Sequence, residues 1–87
     1  MKRLSFKVTV PGVTRDEALK IMGIDTDLTG GWADGTFTGE FNGEVRNGSN
    51  EYLVQQEFAE DIAHELGRPV AVQFNDNPAL TFQVKPD

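Results

Sequence analysis

From residue 4 the chain alternates, with Leu4, Phe6, Val8 and Val10 separated by Ser5, Lys7 and Thr9. A period of two puts successive side chains on opposite faces of a strand, so this stretch predicts a strand with one buried and one solvated face. Pro11-Gly12 ends it. Thr14 stands three residues before Glu17, the spacing of a capping box, in which hydroxyl and carboxylate satisfy opposite backbone amides. The pattern behind it predicts a short helix over 15–22 with Ala18, Ile21 and Met22 facing inward. Gly23 occupies the place of a left-handed C-terminal cap.

Residues 23–35, rich in Asp and Gly, read as a loop. A hairpin is expected next, from Thr36 to Phe41 and from Glu44 to Arg46, turning at Asn42-Gly43 because both positions of that dipeptide tolerate positive φ. Asn47-Gly48 makes a second turn, and Ser49 or Asn50 caps the main helix. That helix is predicted over 51–66, where Val54, Phe58, Ile62 and Leu66 recur at helical spacing, flanked by Ala59, Ala63 and Tyr52. Gly67 and Pro69 stop it. Two strands close the chain: Val70, Val72 and Phe74 alternate with small or polar partners, as do Leu80, Phe82 and Val84, with Asn75-Asp76-Asn77-Pro78 turning between them.

The expected architecture is a single α+β domain over 1–87 in the order β-α-β-β-α-β-β. An antiparallel sheet of four to five strands carries both helices on one face. The other face presents Ser5, Lys7, Thr9, Gln73, Thr81, Gln83 and Lys85 to solvent.

Composition narrows the function. The 87 residues include no cysteine, so neither a disulfide framework nor a thiolate metal site is available, and the core must hold the fold. The basic start, Met1-Lys2-Arg3, runs into alternating residues rather than an apolar h-region, so the chain is expected to carry no leader. No apolar run approaches the ~18–20 residues of a membrane span. A cytoplasmic location follows as the expectation, and no cofactor motif is present. The net charge of −6 is unevenly placed: residues 1–22 sum to +3 and residues 23–87 to −9. Direct binding to a phosphate backbone needs the opposite sign, whereas attraction to a basic protein surface is the permitted direction.

Catalytic chemistry finds little to work with. There is one histidine, the serines lie in no nucleophile-elbow context, and Gly-rich phosphate loops of standard spacing are absent. His64 follows Glu60 by four residues and Asp61 by three near a helix C-terminus, which favours its charged form. It reads either as ordinary surface structure or as a pH-sensitive or metal-binding side chain. Asp25, Asp27, Thr29 and Gly30 match positions 1, 3, 5 and 6 of a calcium loop, but position 12 is Thr36 where a bidentate glutamate belongs. The alternative is an acidic turn whose aspartates accept backbone hydrogen bonds.

Two surfaces are candidates for partner binding. Trp32, beside Asp34 in the Gly-rich segment, is either folded back over the core or presented to a partner. On the main helix Glu57, Glu60, Asp61 and His64 share a polar arc with the exposed Leu53, an apolar anchor amid carboxylates. The expectation is therefore a non-enzymatic acidic protein-binding module, an inhibitor that occludes a basic, nucleic-acid-binding surface of its target. In size, charge and lack of cysteine it is similar to phage-encoded inhibitors such as anti-CRISPR proteins, which act in the host cytoplasm; no motif carries that likeness. The alternatives are a subunit that self-associates, for instance as a homodimer through sheet edges, and a calcium-dependent module built on 25–36.

Overall fold

The computed structural model describes residues 1–84. In chain order the elements are β1 (Lys2–Pro11), α1 (Arg15–Met22), β2 (Leu28–Ala33), β3 (Thr36–Val45), α2 (Glu51–Leu66), β4 (Val70–Phe74) and β5 (Leu80–Phe82). They form one antiparallel sheet in the order β2-β3-β1-β4-β5. Up to β4 this is the split β-α-β connectivity, with β1 inserted between β3 and β4. The fold class and element order are those the sequence predicts. No helix among the described residues is long and apolar enough to cross a membrane.

Segment 23–35 is not a loop throughout, because β2 occupies its second half. The hairpin turns at Asp34-Gly35, where φ is 52° and 77°, and β3 runs straight through Asn42-Gly43. Asp-Gly serves a two-residue turn as well as Asn-Gly does. Register decides between them: turning at 34–35 places Phe37, Phe41 and Val45 on the same face, against Val10, Phe6 and Lys2 of β1.

Two cross-strand glycines make room for a core ring within this glycine-rich hairpin. Gly30 pairs with Gly39, and the buried ring of Phe37 lies over both. A methyl group at Gly39 would come within 2.6 Å of the Thr29 carbonyl oxygen and 2.8 Å of the Phe37 ring. The glycines leave the space that the ring fills.

Helix α1 begins with the expected box: the Thr14 hydroxyl accepts from the Glu17 amide at 3.1 Å and Glu17 Oε1 from the Thr14 amide at 3.0 Å. Gly23 departs from expectation, ending α1 in right-handed geometry at φ −80°. Its amide donates to the carbonyls of Leu19 and Lys20 without a left-handed residue. In α2, Asn50 is the cap, its Oδ1 accepting from the Tyr52 amide at 2.8 Å, and Gly67 closes the helix at φ 70°.

Both helices cover the face that carries the apolar alternation. Phe6 sits at the centre, stacked on Phe41 at 5.0 Å and edge-on to Phe74 at 5.5 Å and Phe58 at 6.2 Å. Ile21, Ala59, Ile62 and Ala63 of the helices close over it, fully buried. Tyr52, expected to flank the buried stripe, is instead 62% exposed. It lies in the first turn of α2, where it lines an open groove beside β4 and β5. The last strand stops at Phe82, leaving Val84 outside it, and Lys85 lies outside the described residues. The opposite sheet face, with Ser5, Lys7, Thr9 and Thr81, carries no helix and is polar as expected. There Arg3 donates to Asn42 Oδ1 at 2.9 Å and Ser5 to Glu40 at 3.1 Å.

Candidate functional site

Helix α2 has two unlike flanks. Its side toward β4 and β5 shows Tyr52, Gln55 and Gln56, all uncharged. Its side toward β3 shows Val54, Glu57, Phe58 and Asp61, lining a groove of about 380 Å³. The floor of that groove is apolar, made by Phe41, Phe58 and Val54. Its rim carries four carboxylates: Asp25 and Asp27 from the α1–β2 loop, and Glu57 and Asp61 from α2. Glu44 of β3 borders the groove, but its side chain is on the opposite sheet face, 4.0 Å from Arg3. Arg46 is the basic side chain among the described lining residues, which also include Met1.

Local sequence explains how these groups meet. Asp25 Oδ1 accepts from the Asp27 amide at 2.8 Å, an Asx turn that brings the chain into β2. The Asn42 amide donates to the Asp27 carbonyl at 3.2 Å, which ties the turn to β3. Gly43 then makes room: a methyl group there would stand 2.5 Å from Asp27 Oδ2 and 2.9 Å from the Phe41 ring. A glycine on the helix-side face of β3 thus lets a carboxylate lie beside the sheet. Glu57 and Asp61 follow from helical spacing, one turn apart on α2.

The groove joins residues that the sequence suggests for different purposes. Glu57 and Asp61 come from the predicted helix face, and Asp25 and Asp27 from the calcium-loop match. Thr29, the third member of that match, lies on β2 opposite Glu40, at an open-face position. Because 28–33 is an extended strand, the segment does not wrap around a point as a calcium loop must. Among the described residues, no cluster of three or more His, Asp or Glu side chains is arranged to hold a metal ion.

The remaining predicted contacts stand elsewhere. Glu60 is half-buried and its Oε1 accepts from Gln56 at 3.3 Å. Leu53 and His64 are exposed on the crest of α2, outside the groove. Asp34 forms the β2–β3 turn. Trp32 is folded back: its Nε1–H donates to the Val13 carbonyl at 2.9 Å, and its ring shares a face with Phe37, leaving it 40% exposed. Its cross-strand partner Phe37 is four residues along β3 from the groove's floor residue Phe41, about 13 Å at ~3.3 Å per residue, and the Asp27 rim lies further along, beside Gly43. The Trp32 surface and the acidic groove are therefore at opposite ends of the hairpin.

Sequence reasoning does not find the floor residue Phe41 as a member of the site. Its signal depends on the register of β3 against β1, which sets it beside Phe6 under the helices. Comparison with protein-family models, with curated proteins and with solved structures finds no match for this chain.

Proposed function

We propose that the chain is a protein-binding module whose acidic groove receives a basic segment of another protein. The observation that supports this reading is the convergence of four carboxylates, from two separated stretches of chain, around an apolar floor. Lysine and arginine have aliphatic stems and charged heads, so such a floor and rim match both parts of the side chain. The −9 balance of residues 23–87 adds long-range attraction for the same partner. A protein that covers a basic surface also competes with any nucleic acid that uses it, and inhibition by occlusion is the role that follows, in the cytoplasm where such targets act.

The test uses a fluorescent arginine-rich peptide titrated against the full chain at several salt concentrations. Binding should weaken as salt rises, because exposed charges are screened beyond about 8–10 Å at physiological ionic strength. The double variant Glu57→Lys/Asp61→Lys should lose at least tenfold in affinity while melting normally. Undiminished binding by that variant would rule the groove out as the contact.

A further inference from the structure

The second groove, on the other flank of α2, has the opposite character. It is about 280 Å³ in volume, and none of the described residues lining it is charged. Tyr52 and Leu80 open into it from α2 and β5 while remaining 62% and 54% exposed. Phe74 and Phe82, edge-on to each other at 6.4 Å, form its floor. Two large apolar side chains held half out of the core beside an apolar floor mark a surface that gains by being covered.

The strand below this groove is also the last of the sheet among the described residues. β5 ends the sheet, and β4 is its neighbour in the ladder. Edge strands are ordinarily guarded by charge, and β2, at the other end, is bracketed by Asp27 and Asp34. β5 itself carries no such charge: residues 77–84, between Asp76 and Lys85, contain no charged side chain, in a chain that is one quarter charged.

We propose that this face is the contact between two copies of the chain. Charge selects the occupant. An isologous interface sets a patch against itself, so every carboxylate in it meets carboxylates of the other copy. For a chain of net charge −6 that excludes the acidic groove and leaves the uncharged face as the place where two copies can meet. A two-fold axis perpendicular to the sheet, passing beside Thr81, pairs β5 with its equivalent in antiparallel fashion. Leu80 then lies opposite Phe82 of the second copy, and both helix layers fall on the same side of a continuous sheet. The two apolar grooves close against each other. A stable interface needs on the order of 500 Å² from each copy, roughly a tenth of the 5407 Å² surface of the chain. The acidic grooves lie on the far flank of each α2, so the dimer presents two of them outward and gains avidity for a partner with repeated basic segments.

Sedimentation equilibrium of the full chain over a micromolar to millimolar range tests this. The expected mass rises with concentration from 9.6 kDa toward twice that value, with little dependence on moderate salt. Leu80→Glu and, separately, Tyr52→Glu place a charge on each side of the symmetric contact. Both positions are exposed in the single chain, so the fold survives and each variant should raise the dissociation constant at least tenfold. The Glu57→Lys/Asp61→Lys variant should dimerise as the parent does. A parent chain that stays at 9.6 kDa throughout, or a Leu80→Glu and a Tyr52→Glu variant that both associate like the parent, overturns the proposal. Binding of an apolar dye in the groove by a strictly monomeric parent counts against it equally.

Discussion

Arg68, just past the end of α2, grips both carboxylate oxygens of Glu17 in α1, Nε at 3.0 Å and Nη2 at 2.9 Å. Its Nη2 also donates to the Gly12 carbonyl at 3.0 Å. Glu17 meanwhile completes the capping box with Thr14. One forked contact therefore joins the end of the second helix, the start of the first and the loop that leads into it, across 51 residues of sequence.

Removing it should cost stability in a way that shows coupling. Planar guanidinium–carboxylate pairs are stronger than ordinary surface ion pairs, but Arg68 is 41% exposed and solvent screens it. We expect Arg68→Ala and Glu17→Gln each to lose about 1–2 kcal/mol. The double variant should lose less than their sum, as measured by urea denaturation in a double-mutant cycle. Additive losses would show that the fork contributes nothing beyond its separate parts.

The same contact predicts an acid limb. Hydrogen bonds from Arg68, then from the Thr14 amide, hold the Glu17 carboxyl below its ordinary value. A carboxyl whose folded pKa is lowered stabilises the fold fully above its unfolded pKa, and the contribution disappears as pH falls through the folded one. The melting temperature should therefore drop more steeply for the parent than for Glu17→Gln as pH is taken from about 5 to below the lowered value. Parallel curves for the two proteins would show that other carboxylates carry the acid response.

Most of this fold is legible in the sequence because its signals are local. Alternation at Leu4–Val10 makes β1, the Thr14–Glu17 box starts α1, and the Val54–Leu66 stripe makes α2. The hairpin is not legible, since Asp34-Gly35 and Asn42-Gly43 are equivalent turn signals and the choice rests on pairing with β1, far away in sequence. The candidate site is half legible for the same reason. Glu57 and Asp61 share a helix face that any helical wheel shows, whereas Asp27 reaches them only because Gly43 has no side chain to fill that space.

The glycines of the hairpin should rank by what surrounds them. At Gly39 a methyl group meets the backbone oxygen of Thr29 and the Phe37 ring, so Gly39→Ala should lose about 1–3 kcal/mol. At Gly43 the nearest atoms are the end of the Asp27 side chain and the Phe41 ring, and the carboxylate can swing aside; the loss should be smaller. Gly31 has open space and an ordinary φ, so Gly31→Ala should change stability by no more than about 0.5 kcal/mol. Thermal melts of the three variants check the order, and equal losses would contradict the packing described for Phe37.

Trp32 is the sole tryptophan and so reports on its own contact. Trp32→Phe keeps much of the ring but removes the donor to Val13, and should cost about 0.5–1.5 kcal/mol. Because Trp32 stands at the far end of the hairpin from the groove, the variant should bind a basic peptide as the parent does. A loss of affinity with no loss of stability would return Trp32 to the binding surface.

The acidic groove is separable from the acidity of the chain. Glu51 and Glu65 lie on the same helix as Glu57 and Asp61 but do not line the groove. Reversing either pair to lysine moves the net charge by the same amount, from −6 to −2. Steering depends on the summed field, so both double variants should slow association with a basic peptide to a similar degree. Dissociation depends on contacts that are lost. It should therefore quicken at least tenfold for Glu57→Lys/Asp61→Lys and stay near the parent rate for Glu51→Lys/Glu65→Lys. Stopped-flow measurements at two salt concentrations separate these rates. Equal dissociation rates for the two variants would mean that the partner senses only the charge of the chain.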